Sequence, residues 1–290
     1  MKSKYVIISP VRDEAKFIES TIRCVTAQTI IPREWIIVDD GSSDQTPEIV
    51  ENYCRQHPWI RLIRRNNRGF RHSGRGVVEA FHEGLAQLHC QEWHFLVKLD
   101  GDLSFADNYF ERMLVEFERN ARLGIAGGVL FSTPGGEPLK AERCPQFHVR
   151  GATKIYRREC WEVIGGLITS PGWDIVDESK ANMHGWTTRS FFEAAVVHHR
   201  PTGTAESKWK DQLKNGRAYY VAGYHPIFLA AKCVYRLASK PYITGAAGIA
   251  WGYMSAWFSG SPKRVNDLDL VRFVRRQQLR RLVGLNTIWK

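Results

Sequence analysis

The stretch Phe95-Leu96-Val97-Lys98-Leu99-Asp100-Gly101-Asp102-Leu103 constrains this chain more than any other. A short apolar run that breaks off into two carboxylates separated by a glycine predicts a buried strand, with Asp100 and Asp102 at or just past its carboxyl end. Ligands of open α/β sheets bind at that end. Acids on alternate residues of a turning backbone can converge on one hard divalent cation, which prefers oxygen donors, and Gly101 lets the chain approach closely. The same residues also describe a plain strand end followed by an Asp-Gly turn. The flanking segments have to decide between the two.

They repeat the arrangement. Tyr5-Val6-Ile7-Ile8-Ser9-Pro10 predicts a strand stopping at the proline. A polar turn follows, Val11-Arg12-Asp13-Glu14, and then a helix with Phe17, Ile18, Ile22 and Val25 on one face. Trp35 to Val38 predicts a second strand ending in Asp39-Asp40-Gly41-Ser42-Ser43-Asp44, where Ser43 or Asp44 caps a helix opened by Pro47. Arg61 to Arg64 is a third strand, residues 69–75 are glycine-rich and basic, and Val77 to Leu88 is a helix. Strands alternating with helices of this length predict a parallel, doubly wound sheet with right-handed crossovers. The loops after Ser9, Val38 and Leu99 then open on one edge.

Composition bounds the rest. With 290 residues and 43% hydrophobic content, the chain can bury the core of a large α/β domain that carries an extension. Its formal net charge of +11 implies affinity for anions, whether nucleotide, nucleic acid, acidic polymer or anionic membrane. Six cysteines without a Cys-x-x-Cys pair suggest neither a zinc site nor a disulfide framework, so reduced thiols are expected. Met1 to Lys4 runs straight into the first strand, too short for a signal-peptide core or a membrane span, which points to the cytoplasm.

The set Ser9-Pro10-Val11-Arg12-Asp13-Glu14, Val38-Asp39-Asp40-Gly41-Ser42-Ser43-Asp44 and Leu99-Asp100-Gly101-Asp102 resembles the inverting family 2 glycosyltransferases of the GT-A fold, over roughly the first 200 residues. The resemblance implies a Rossmann-like, mostly parallel sheet flanked by helices, followed here by a helical extension. It also implies a nucleotide-sugar donor (UDP-, GDP- or dTDP-linked) and Mg²⁺ or Mn²⁺. Carried over residue by residue, Ser9, Pro10, Arg12 and Glu14 line the nucleotide sugar. Asp39 or Asp40 contacts the base, Asp100 the ribose or metal, and Asp102 the metal. Arg71 and Lys98 are further candidates beside the diphosphate, with Arg75. Where the family often has an Asn before this motif, the chain has Arg71-His72-Ser73-Gly74-Arg75.

Transfer with inversion needs a base for the acceptor hydroxyl, and a positioned carboxylate suffices. The family's catalytic aspartate, counted back from Gly185-Trp186, falls on Asp174, with Trp173 replacing the usual Glu; a three-residue insertion would move the role to Asp177. In the resembled family a histidine in the corresponding loop often completes metal or diphosphate binding, and in His198-His199-Arg200, at the end of a strand-like run, the resemblance implies His199.

Beyond residue 204 the composition changes, so a catalytic domain over 1–204 and a basic, helical extension over 205–290 are expected. Trp251, Tyr253, Trp257 and Phe258, with Lys263 and Arg264 following, suit a headgroup boundary. The helix from Leu268 to Val283 opposes an apolar stripe to Arg272, Arg275, Arg276, Arg280 and Arg281. An anionic membrane surface at the inner face, or packing on the catalytic domain, would use that pattern. A glycan or lipid-linked acceptor is expected, and no nucleic acid. A nucleotidyltransferase is the competing enzyme class, but it needs a lysine-bearing glycine-rich loop that Pro10 to Glu14 is not. A Rossmann dehydrogenase lacks its Gly-x-Gly-x-x-Gly. A non-catalytic basic scaffold explains the charge and predicts no gathering of acids at strand ends.

Overall fold

The structure, a computed structural model, describes residues 4–69, 74–132, 140–142, 145–200, 208–238 and 242–289. The chain packs as two units, one of residues 1–166 with 185–201 and one of residues 167–184 with 202–290.

The first unit is an α/β layer structure. Strand β1 (Tyr5–Val11) and strand β2 (Glu34–Asp39) are buried along their whole length. So is β4 (Phe95–Leu99). Such strands, covered on both faces, need near-continuous apolar sequence, which is why they read so plainly. With β3 (Ile60–Arg64) they form a parallel block in the order β3-β2-β1-β4. The crossovers are α1 (Ile18–Thr26), α2 (Thr46–Gln56) and α3 (Arg75–Ala86). The chain moves outward from β1 to β3 and then returns to β4 on the other side of β1. That reversal opens a crevice at the carboxyl ends of β1 and β4.

β1 runs through Pro10 rather than stopping there, because beyond Ile8 it is paired only with β2. A residue lacking an N–H is tolerated where one side of the strand carries no ladder.

Past β4 the sheet becomes mixed. β5 (Leu103–Phe105) and α4 (Tyr109–Arg119) lead to β6 (Leu123–Ser132), a short β7 (Lys140–Ala141), β8 (Thr153–Arg157), α5 (Arg158–Ile164) and, later in the chain, β9 (Thr187–His198). The full path is β3-β2-β1-β4-β8-β6-β9-β5, with β7 on β6. β8 is antiparallel to both β4 and β6, and β5 is antiparallel to β9. Tyr5, Trp35, Phe95, Phe110 and Phe117 belong to the core beneath one face.

The second unit is helical: α6 (Trp173–Met183), α7 (Lys208–Val221), α8 (Pro226–Arg236), α9 (Tyr242–Ser259) and α10 (Leu268–Leu282). The sequence divides the chain at 204/205, whereas packing divides it at 201/202 and assigns residues 167–184 to the helical unit. The reason is apolar burial: Val176, Ile175 and Met183 of α6 share a core with Ala222, Leu270 and Val274. Among the described residues no helix is long and apolar enough to cross a membrane.

Candidate active site

The crevice edge is built by loops that hydrogen-bond one another. Asp13, at φ 54, accepts from the Ser43 N–H at 2.8 Å and the Ser43 hydroxyl at 3.0 Å. Asp44 accepts from the Ala15 N–H at 3.0 Å, and the Glu14 N–H donates to the Thr46 hydroxyl at 2.8 Å. The β1–α1 and β2–α2 loops are thus tied into one wall. Two glycines are required by close approach. A Cβ on Gly101 would lie 2.9 Å from Val11 Cγ1, and one on Gly41, at φ +77, would lie 2.5 Å from the Asn67 backbone.

Ser9 is buried, and its hydroxyl accepts from the Trp35 indole N–H at 2.9 Å; Pro10 is buried beside it. The Ser9 side chain thus faces the core through Trp35. Arg12 donates to the Asp40 carbonyl at 3.0 Å and to Asn67 Oδ1 at 2.9 Å. Asp39 ends β2 with both of its Ser42 bonds, from N–H and hydroxyl, on Oδ1. Burial raises its pKa, and the Ser42 bonds only partly offset that. Asp40 is clasped by Arg65 and Arg68. Arg68 Nε is buried without a hydrogen-bond partner among the described residues. Arg71 lies outside the described residues, and Arg75 pairs with Glu79 at 2.7 Å on the exposed side of α3.

At the end of β4, Lys98 is only 2% exposed and donates to Asp100 and, at 2.6 Å, to the Gly151 carbonyl. Its cross-strand partner is a second buried lysine, Lys154 of β8. Asp102 faces two cationic groups, His198 Nε2 at 3.5 Å and Arg200 Nε at 4.0 Å; Arg200 also binds Glu14. His198 Nδ1 lies 3.4 Å from Glu142, which in turn has Arg150 at 3.7 Å. Burial alone would lower the His198 pKa, but the Asp102 and Glu142 carboxylates outweigh it and hold the value at about 10.

His199, the residue favoured from the sequence, points elsewhere. Its Nε2 is 2.6 Å from the Ser104 hydroxyl and its ring stacks on Phe17 at 5.7 Å. β9 pairs Leu103 with His198, and the His199 N–H donates to the Asp102 carbonyl at 2.9 Å, so the ladder sets His199 opposite Asp102; Asp102 stands just before β5, outside its alternation, and its side chain meets His198 instead. The sequence reading passed over Arg65, Arg68, Glu142, Lys154 and His198. No local pattern signals His198 and Arg200, because both reach Asp102 only where the end of β9 is brought beside the turn before β5.

A carboxylate and an imidazole 3.5 Å apart suit a divalent cation. Among the described residues no group of three or more His, Cys, Asp or Glu side chains is placed to hold one. Such a donor pair fits an ion that completes its shell with water and phosphate oxygens, as Mg²⁺ commonly does.

In the second unit, Asp174 sits in the first turn of α6, after Gly172 at φ +82, and is partly exposed. Asp177 is 1% exposed, and its Oδ1 accepts from the Glu178 N–H at 2.6 Å.

Residues 6–168, more than half of the chain, match the family model described as glycosyl transferase family 2. The chain belongs to glycosyl transferase family 2. Of two curated relatives, one is a polysaccharide synthase by name and the other a glycosyltransferase. Poly-beta-1,6-N-acetyl-D-glucosamine synthase of Staphylococcus epidermidis is 28% identical over 116 residues, 40% of this chain and 26% of that protein. The uncharacterized glycosyltransferase EpsJ of Bacillus subtilis is 31% identical over 124 residues, 42% of this chain and 32% of EpsJ. The matches thus span about a third or less of these relatives. Among solved structures, mannosyltransferase PcManGT from Pyrobaculum calidifontis in complex with GDP-Man and Mn²⁺ has a TM-score of 0.57 at 17% identity, covering 94% of this chain and 79% of that one. S. aureus TarS 1–349 in complex with UDP-GlcNAc has a TM-score of 0.55 at 17% identity, covering 96% and 81%. At such identities the likeness carries the fold alone, and the fold of this family 2 chain is the GT-A fold that its motifs implied.

Proposed function

We propose that this family 2 chain transfers a sugar, with inversion, from a nucleoside diphosphate sugar to a hydroxyl acceptor in glycan, polysaccharide or glycolipid synthesis. The observation that carries the reading is the gathering of Asp39, Asp100, Asp102 and His198 with Arg68 at the carboxyl edge of β1, β2 and β4. The GDP-Man and Mn²⁺ held by PcManGT and the UDP-GlcNAc held by TarS support the same donor class and, from PcManGT, the metal.

Asp39 is the base contact, since both Ser42 bonds fall on Oδ1 and Oδ2 is left to accept a ring N–H. Arg12 and Asp40 brace that wall, with Arg65 and Arg68 bringing positive charge beside it. Lys98 holds Asp100 toward the ribose. Asp102 with His198 would hold Mg²⁺ or Mn²⁺, which when bound lowers the cost of charge on the departing diphosphate. Arg200 and Glu14 fix Asp102 from behind. The general base is Asp174 rather than Asp177: a base must reach the acceptor proton, and Asp174 is partly exposed where Asp177 is buried. The enzyme acts in the cytoplasm, peripheral at the inner face of the membrane, on a glycan or lipid-linked acceptor.

Sugar release or transfer from nucleotide sugars with Mn²⁺ tests the reading. Asp102→Ala should lower it by on the order of 100-fold or more while the protein stays folded. Equal activity in the variant would remove the metal assignment. No activity on any nucleotide sugar would return the chain to a binding role.

A further inference from the structure

The helical unit is built inside out. α9 presents small residues inward: a Cβ on Gly252 would lie 2.2 Å from the Leu213 carbonyl and one on Gly216 2.1 Å from the Ile249 carbonyl, so α7 and α9 pack backbone to backbone. Its large side chains other than Ile249 and Tyr253 point outward, with Ile243 74%, Trp251 65% and Phe258 82% exposed. α9 has no charged residue, and on α8 every exposed residue is apolar or aromatic, including Ile227, Val234 and Tyr235. α8 and α9 are packed together through Leu229, Ile249 and Tyr253, so their outward faces flank one seam. Scattered exposed apolar residues need no explanation, but two adjoining helix faces without a charge do.

Charge decides what covers them. Of 41 Lys and Arg and 30 Asp and Glu in the chain, 15 and 4 lie in residues 205–290, so this segment carries the whole formal net charge of +11. Among the described residues Arg264, Arg276, Arg280 and Arg281 form no ion pair. A second copy of the chain would bring the same positive charge to the face. An anionic bilayer neutralises it. Beside α9 lies a cavity of about 420 Å³ whose walls include Tyr253, Trp257, Arg264 and Arg275, two guanidinium groups among aromatic rings.

We propose that the helical unit docks on an anionic phospholipid bilayer, with the outward faces of α8 and α9 seated at the boundary of headgroups and acyl chains and a phosphate headgroup in the Arg264–Arg275 cavity. Aromatic and aliphatic side chains bury at that depth, and arginines gain from the surface potential. No described helix spans the membrane, so α8 and α9 lie in its plane. The docking rests on the helical unit alone; the sugar-transfer reading can fail without it, and it can fail without the sugar-transfer reading.

Flotation of the full chain with vesicles tests it. The chain should float with vesicles containing phosphatidylglycerol, far less with pure phosphatidylcholine, and release as salt screens the surface. Trp251→Ser with Phe258→Ser should lower partitioning by about tenfold or more. Arg264→Glu with Arg280→Glu should remove the preference for phosphatidylglycerol. Circular dichroism and melting confirm that each variant is folded. Failure to float on either vesicle, or unchanged flotation of the folded Trp251→Ser, Phe258→Ser variant, overturns the proposal. So does light scattering that shows a dimer which that variant dissociates, since the face is then a subunit interface.

Discussion

His198 and Asp39 show how much single side chains depend on their neighbours. A histidine held cationic at about 10 between two carboxylates is a group in waiting: a divalent cation at Asp102 would displace the proton and take the imidazole as a ligand. His198→Ala should raise the Mn²⁺ concentration for half-maximal activity by on the order of 10–100-fold. His199→Ala should leave that concentration unchanged, and a metal titration of both variants separates them. Asp39 behaves oppositely. Its folded pKa is raised, so the folded state holds the proton more tightly than the unfolded one, and the stability this contributes is lost as pH rises through the folded value. At neutral pH the buried charge is therefore a cost. Asp39→Asn should raise the melting temperature at pH 7 and flatten its dependence on pH just above the ordinary carboxylate range. It should weaken nucleotide binding by on the order of 10–100-fold, the worth of a hydrogen bond to a charged group. Thermal melts across pH and calorimetric titration with nucleotide read both effects, and a variant that is less stable yet binds normally would contradict them.

At the scale of elements, the loops at the crevice are held by hydrogen bonds from one loop to the next, and the helical unit by close packing. α7 and α9 meet through Gly216 and Gly252, with backbone atoms where side chains would stand, and through Gly248, against the Gln212 side chain. Gly252→Ala should destabilise the chain by roughly 1–3 kcal/mol, because neither backbone can move without unseating a helix. Denaturant unfolding measures this, and a change under half a kcal/mol would mean that α7 and α9 pack more loosely. The acid-bearing loops after β1, β2 and β4 were readable because a buried parallel strand is a continuous apolar run and its polar end is abrupt. The end of β9 was not readable in this way. The pairing of β9 with β5 sets His199 opposite Asp102, yet the Asp102 side chain turns to His198, because Asp102 lies in the turn before β5 where strand alternation no longer holds.

For the whole molecule, ligand binding and folding are linked. A nucleotide sugar bound only by the folded chain at about 100 times its Kd adds about 2.7 kcal/mol, worth several degrees in a chain of this size. UDP-, GDP- and dTDP-sugars, each with Mn²⁺, should therefore separate in a melting panel, one raising the transition by several degrees and the others by little. A flat panel would count against a nucleotide-sugar donor. The asymmetry of charge belongs to this scale too: residues 1–204 are balanced, with 26 basic and 26 acidic side chains, and the excess lies entirely in the helical segment.

The family, the parallel half of the sheet and the acids at its edge were determined by sequence alone, because each rests on a local pattern of apolar runs, turn residues and carboxylates. The helices of the last third were equally local. Tertiary structure decided the rest. It turned Ser9 into the core, gave Asp102 its partners His198 and Arg200, and moved residues 167–184 to the helical unit, since each outcome depends on strand register or on which distant apolar face is available. Hydrophobic burial is non-directional, so a sequence shows which residues must be covered but not by what.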